Sequence, residues 1–532
     1  MKNYTFIESK YIDEIESKVS VYRHNKSGAR ICTMENEDEN KVFSIAFRTP
    51  AINNCGLTHI LEHSVLCGSK KYPVKDPFVE LLKSSLNTFL NAFTFPDKTM
   101  YPVASLNLKD FKNLMSVYMD AVFYPNIYEH EEIFRQEGWH YHILDKNDPI
   151  TYNGVVYNEM RGAFSDPQSI LQRQIMHSLY KDTAYGLESG GDPKYIPDLD
   201  YKEFLKFHSE YYSPSNSYIY IYGDCDMEER LDWLDKEYLS KFDKIDFDTT
   251  IKYQPKFDKP VYDTSYYQTE GELKDKTFLS YNISLPSILD IKTVEAVSII
   301  VDALFNIPGA KLKEKLQKEG IATDIDAYFE IEILEPFISI TATGSNPDDE
   351  DKFIKIIDEE FENILKNGLD KETILSLINH AEFENRERSF SSRMPKGLLI
   401  IMAALTSYLY DDNCPFSALE TIEYFKEFKE DINNNYFENL IKDIFVNNKH
   451  KSFVKLVPTL DSMSKEDELI SKKLKEYKDS LTDEELDNLI LMNKKLIDYQ
   501  NEESSEDDIN KLPKLTLDDL DIKPENYKFE LK

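Results

Sequence analysis

The sequence predicts an α+β fold built from a unit that occurs twice, with a helical hairpin after the second copy. Three observations carry this. Strand and helix signals follow one another in a similar order before about residue 250 and again after it. Amphipathic helical patterns connect the strands. Residues 462–504 are strongly charged and helix-prone, with a break at Ser480-Leu481-Thr482-Asp483. The expected units cover 1–250 and 251–460, the hairpin 461–505 and a tail 506–532. A solvated charged tail is the competing reading of the hairpin stretch.

The elements follow in chain order. Val42-Phe43-Ser44-Ile45-Ala46-Phe47-Arg48 is short, apolar and rich in β-favouring residues, and Pro50 closes it, so a buried strand is expected. A helix at 55–67 starts after Asn53, Asn54 and Gly56 and stops before Gly68 and Ser69. A second helix is expected at 76–84. The second half of 86–95 reads as a strand closed by Pro96-Asp97, with 99–103 as its partner. Helices are expected at 107–122, 129–138 and 168–180, then a strand at 217–222 and a helix at 226–239. A Lys-, Asp- and Pro-rich linker covers 244–262. The second unit reads as strand 277–283, helices 290–304 and 309–318, strands 321–330 and 335–343, and helices 349–366 and 370–388.

The first of these helices carries the most informative motif, His59-Ile60-Leu61-Glu62-His63. Its histidines stand at i and i+4 and share a face, which Glu62 borders. Two imidazoles at that spacing suit a tetrahedral zinc ion, and a neighbouring carboxylate can take a proton from metal-bound water. H-x-x-E-H is a metallopeptidase signature. A helix with two ordinary histidines is the bland alternative. A hydrolytic zinc site needs a third protein ligand and one open position. Glu159, in Gly154-Val155-Val156-Tyr157-Asn158-Glu159-Met160-Arg161-Gly162, is the best candidate, on a segment that can form a helix. The helix of the second unit that matches the motif helix holds Val301-Asp302-Ala303-Leu304-Phe305 and no such motif. That unit is therefore expected to be structural or substrate-facing.

Other residues receive ordinary readings. Cys55 and Cys67 lie four residues from His59 and His63 and are read as small buried thiols rather than ligands. His140 and His142 are read as structural. No Walker-type G-x-x-x-x-G-K-[ST], G-x-G-x-x-G or G-x-S-x-G motif occurs, which removes the simple nucleotide, dinucleotide and serine-hydrolase readings. With 97 acidic and 63 basic side chains the net charge is −34, which opposes nucleic-acid and anionic-membrane partners and favours basic peptides, although solubility explains most of it. The five cysteines, at 32, 55, 67, 225 and 414, form no C-x-x-C and fit a reduced intracellular protein. The first residues lack the apolar core of a signal peptide, and the run from Gly397 to Leu405 is too short to cross a bilayer, so a cytoplasmic location is expected.

H-x-x-E-H followed by G-V-V-x-N-E-M-x-G resembles the pitrilysin-type (inverted zincin) metallopeptidases, and more narrowly their presequence protease branch. Arg48-Thr49-Pro50, Gly56-Leu57-Thr58-His59, Cys67-Gly68-Ser69-Lys70-Lys71-Tyr72-Pro73 and Leu90-Asn91-Ala92-Phe93-Thr94 fit the same branch. The resemblance implies two duplicated pitrilysin-like domains, each an antiparallel sheet packed with helices. It implies a zinc metalloendopeptidase acting on unstructured peptides, with Zn²⁺ on His59, His63 and Glu159 and Glu62 as the catalytic base. It also implies an edge strand at Asn91, Ala92, Phe93 and Thr94 that pairs with the substrate backbone, an ordinary core strand being the alternative. In that branch a hairpin joins two halves of a longer protein. The chain is accordingly expected to correspond to a first half, with a C-terminal half or partner chain closing the chamber. A non-catalytic half that binds metal and peptide but needs that partner is the alternative from another class.

Overall fold

The computed structural model describes residues 2–387, 394–460 and 462–520, with side chains in the last segment from Asp467 onward. The strands are β1 (Tyr4–Ile12), β2 (Ser17–His24), β3 (Arg30–Glu35), β4 (Lys41–Arg48), β5 (Asn87–Leu90), β6 (Phe93–Thr94), β7 (Lys98–Ser105), β8 (His140–His142), β9 (Thr151–Asn153), β10 (Ser217–Gly223), β11 (Val261–Gln268), β12 (Thr277–Ser284), β13 (Asp324–Glu330), β14 (Phe337–Ser345) and β15 (Lys451–Thr459). The helices of the first unit are α1 (Leu57–Val65), α2 (Pro77–Ser84), α3 (Leu108–Phe123), α4 (Glu131–Glu137), α5 (Val155–Ala163), α6 (Pro167–Tyr180), α7 (Tyr201–Tyr211) and α8 (Met227–Glu237). Those that follow are α9 (Ile291–Val301), α10 (Lys311–Lys318), α11 (Glu350–Asn367), α12 (Lys371–Glu387), α13 (Lys396–Tyr408), α14 (Ile422–Asp431), α15 (Tyr436–Leu440), α16 (Ser462–Ser480) and α17 (Asp483–Asn501).

The duplication is written in the strand order. The first sheet runs β1-β2-β3-β10-β4-β7-β5, with β6 also on β7, and the second runs β11-β15-β12-β14-β13. Matching β3-β10-β4-β7-β5 to β11-β15-β12-β14-β13 preserves every strand direction. In each copy the only parallel pair described is the one that joins an early strand to the last, β3 with β10 and β11 with β15. The sheets are therefore mostly antiparallel rather than wholly so. The physical reason is the long excursion before the last strand, which lets it return beside an early strand in the same direction.

Both faces of the first sheet are covered, and the alternation of side chains decides which core each residue joins. Ile219 and Ile221 of β10, with Phe43, Ile45 and Phe47 of β4, face the helices α1, α3, α7 and α8. Tyr218, Tyr220 and Tyr222 face the opposite way and pack under Leu398, Ile401 and Leu405 of α13. This explains why β10 reads as a continuous buried run rather than an amphipathic one. The contact is close: a Cβ on Gly397 would lie 2.2 Å from the Tyr222 ring.

The helix expected over 290–304 ends at Val301 and continues as a π turn to Asn306, ahead of Pro308 and Gly309. Residues 291–318 together are long and apolar enough to span a membrane by length and composition, unlike the shorter run at 397–405, but half of that stretch is buried in the second core. The break expected at Ser480–Asp483 is present, and Thr482 caps α17 through a reciprocal capping box with Glu485. Part of the predicted tail 506–532 lies outside the described residues. The sequence patterns do not single out β1–β3, β15, α7 or α13.

Glu335, only 4% exposed, lies where the linker meets the second sheet and accepts the Gln254 backbone N–H at 2.6 Å. Burial pushes its carboxyl up to about 7, and that one hydrogen bond opposes the shift. The folded state thus keeps this proton to higher pH than the unfolded chain does. Stability is lost as pH rises from the ordinary glutamate value through about 7. We expect Glu335→Gln to raise the thermal midpoint at pH 8, by an amount on the order of 3 kcal/mol in stability, and to change it little at pH 4, as thermal melts across that range would show.

Candidate metal centre

Gly56 starts α1 with φ +67°, in the left-handed region that suits glycine. Leu57, Ile60, Leu61, Ser64 and Val65 are buried and fix the helix against the core. His59, Glu62 and His63 are left on the other face. The two imidazole rings stand 4.9 Å apart, centroid to centroid, at 77° to one another. On α5, Val156, Tyr157 and Met160 are buried, and Glu159 projects from the opposite side of that helix. Its Oε2 lies 3.6 Å from His59 Nε2 and 3.7 Å from His63 Nε2. The three donor atoms form one group within 4.8 Å, the only such triad found among the described residues.

The other ring nitrogens are engaged. His59 Nδ1 donates to the Gly190 carbonyl at 3.0 Å, and His63 Nδ1 donates to Glu137 Oε2 at 3.2 Å. An Nδ1 proton held in this way leaves the Nε2 lone pair free, so both imidazoles turn an unprotonated nitrogen toward Glu159. Burial pulls the His63 imidazole down, but the hydrogen bond to Glu137 and the charges of Glu137, Glu62 and Glu159 outweigh it and hold its pKa above the usual value. Burial pushes Glu137 up, while bonds from His63, Gln136 and Cys67 outweigh that and hold its carboxyl below the usual range. Two nitrogens and one carboxylate oxygen, oriented from behind and open on one side, fit a divalent metal such as zinc.

Glu62 borders the triad, and its Oε2 accepts a hydrogen bond from the Thr94 hydroxyl at 2.7 Å. Phe93 and Thr94 form β6, which pairs with β7 on one side and has no second strand beside it among the described residues. Asn91 and Ala92 lie between β5 and β6, outside both strands. Ala92 is buried in the first core, so its side chain does not face a ligand. Cys55 and Cys67 stand outside the triad. The Cys67 thiol donates to the His63 carbonyl (3.5 Å) and to Glu137 (3.6 Å), and burial first, then the charges of Glu137 and Asp76, drive its pKa well up. His140 donates or accepts at the Arg135 carbonyl (2.8 Å), away from the triad, in keeping with its structural reading.

Sequence reasoning missed Glu137 and Gly190. A carboxylate in Arg135-Gln136-Glu137-Gly138 and one backbone carbonyl carry no spacing signal, because only the tertiary fold brings them behind α1. Gly56 makes the tightness of this arrangement testable. A Cβ there would lie 2.7 Å from the Gly190 carbonyl oxygen that holds His59, at a φ that L-residues rarely adopt. We expect Gly56→Ala to lower stability by about 1–3 kcal/mol and to weaken metal binding with it, measured by melts and by chelator competition.

Comparison with known proteins places this geometry. Residues 48–143 match the family described as Insulinase (Peptidase family M16), and residues 198–379 match the Peptidase M16 inactive domain. Residues 456–532 match the region described as associated with the C subfamily of the same peptidases. The chain belongs to the M16, or pitrilysin-type, peptidase family. Protein HypA of Clostridium perfringens is 43% identical over 94% of the chain and 51% of its own length. Presequence protease 1, chloroplastic/mitochondrial, of Arabidopsis thaliana is 38% identical over 97% of the chain and 49% of its own length. The mitochondrial presequence protease of Xenopus laevis is 32% identical over 94% and 48%. The chain thus spans about half the length of the curated relatives it matches. The crystal structure of pitrilysin shares the fold at a TM-score of 0.60 with 16% identity, covering 86% of this chain and 47% of that one. A protease from Helicobacter pylori does so at 0.64 with 16% identity, covering 83% and 100%. In M16 terms, the motif helix α1 lies in the Insulinase match, and the unit lacking the motif lies largely in the match named inactive.

Proposed function

We propose that this M16 chain is a zinc metalloendopeptidase that hydrolyses unstructured peptides with metal-activated water. The convergence of His59 Nε2, His63 Nε2 and Glu159 Oε2 beside Glu62 carries the reading. His59, His63 and Glu159 would hold the zinc, which when bound supplies Lewis-acid polarisation and a water of lowered pKa. Glu137 and the Gly190 carbonyl keep both imidazoles in the ligating tautomer. Glu62 takes the proton of the attacking water and delivers it to the leaving amine, a role for an acid placed next to the metal-bound solvent. The Thr94 hydroxyl fixes the Glu62 carboxylate while β6 offers its free edge to an extended peptide. Strand addition reads main chain, so it suits many sequences but only unfolded ones.

The test is hydrolysis of a quenched unstructured peptide by the full chain with zinc, with chelator, and with zinc restored. Activity lost to chelator and regained with zinc is expected. Equal activity in all three states would overturn the metal role. Activity that appears only on adding a separate C-terminal half would make this chain the metal- and peptide-binding half of a two-part enzyme.

A further inference from the structure

Asp97 closes the turn between β6 and β7, three residues after Thr94, and is fully buried. Its Oδ2 accepts the hydroxyls of Tyr185 and Tyr410, each at 2.6 Å, and its Oδ1 accepts Lys98 Nζ at 3.2 Å. The network runs on into the second unit. Lys98 Nζ donates to the Glu332 carbonyl at 2.8 Å, and the Tyr185 hydroxyl accepts the Leu334 N–H at 2.9 Å. A buried carboxylate is costly unless its oxygens are met by donors, and here two hydroxyls and an ammonium meet them. Apolar packing would hold the same segments together without direction, whereas these bonds fix their register.

Four segments converge on this carboxylate: the β6–β7 turn, the turn at Ala184–Gly186, the chain just after α13, and residues 332–334 of the second unit. The first carries Thr94, which holds Glu62. The same segments wall a cavity of about 650 Å³ beside the metal centre, through Thr94, Phe95, Pro96, Tyr185, Glu332 and Ile333. None of the network's side chains belongs to the His59–His63–Glu159 group. The loop that holds His59 has separate supports, with Asn54 accepting the Glu188 N–H at 2.8 Å and Thr58 donating to the Ser189 carbonyl at 3.0 Å.

We propose that Asp97 is a positioning residue that couples the second unit to the free edge of β6 and holds that edge over Glu62, so that the unit without the metal motif governs how a peptide is laid down. Its peptide component rests on the assignment of β6 as the substrate strand under Proposed function, while the coupling itself does not.

The experiment compares the full chain with Asp97→Asn and with Asp97→Asn/Lys98→Met. Amide exchange, thermal midpoint, zinc affinity by chelator competition, and binding of a fluorescent unstructured peptide in a Glu62→Gln background are all measured. Asp97→Asn is expected to raise exchange at 93–98 and at 332–335 together and to weaken peptide binding, each by about tenfold, with zinc affinity held within about twofold. Adding Lys98→Met removes the stranded ammonium, so the thermal midpoint recovers while exchange and peptide affinity do not. Increased exchange confined to 93–98, or recovery of all properties in the double variant, would overturn the proposal and reduce the network to local stability. Coupled exchange with unchanged peptide affinity would uphold the coupling and count against β6 as the substrate strand, so the two failures are distinguishable.

Discussion

Glu62→Gln is expected to bind zinc as the parent does and to hydrolyse peptides about 10²–10⁴-fold more slowly, the range over which a positioned acid–base group acts. Glutamine keeps the size of the side chain and an oxygen that can accept the Thr94 hydroxyl. It cannot take up a proton. Glu62 lies outside the group formed by Glu159 and the two imidazole nitrogens, so metal retention follows from geometry. Parallel metal analysis and single-turnover rates on one preparation are the measurement. Retained metal together with full activity would remove Glu62 from the role of base.

Glu159→Ala carries the second large effect. It removes the only carboxylate of the triad and leaves two imidazoles facing an open site. Zinc affinity should fall beyond the roughly 10–100-fold range typical of lost outer-shell partners, which is the range expected for Glu137→Gln. Folding should be nearly unaffected, because the Glu159 side chain is 51% exposed and the buried face of α5 is Val156, Tyr157 and Met160. Competition with a chromophoric chelator orders the two variants. Glu137→Gln weakening binding more than Glu159→Ala would reverse the assignment of ligand and support.

The metal triad was legible because its decisive pair is local. An i, i+4 spacing on a helix places two side chains on one face whatever surrounds them, and α1 forms where Gly56 and the apolar positions dictate. Glu159 was legible only as a residue of the right type on a second amphipathic helix, since nothing local states that α5 approaches α1. The substrate strand was half legible. Phe93 and Thr94 are in β6, whereas Asn91 and Ala92 fall in the connection from β5, and Ala92 points into the core. The first three strands went unread because β1 is exposed along most of its length and β2 alternates irregularly, so neither shows a period-2 apolar pattern.

By itself, the sequence determined a twice-built α+β chain, a helix bearing His59, Glu62 and His63, a capped hairpin at its charged end, and an acidic surface. These follow from periodicity, capping and spacing, which act over a few residues. Only the tertiary structure decided that Glu159 Oε2 meets both Nε2 atoms, that Glu137 and the Gly190 carbonyl set the imidazole tautomers, and that Asp97 ties the two units beside Thr94. Each of these joins groups far apart in the chain, and such distances are fixed by how buried faces pack together, which no short stretch of residues encodes.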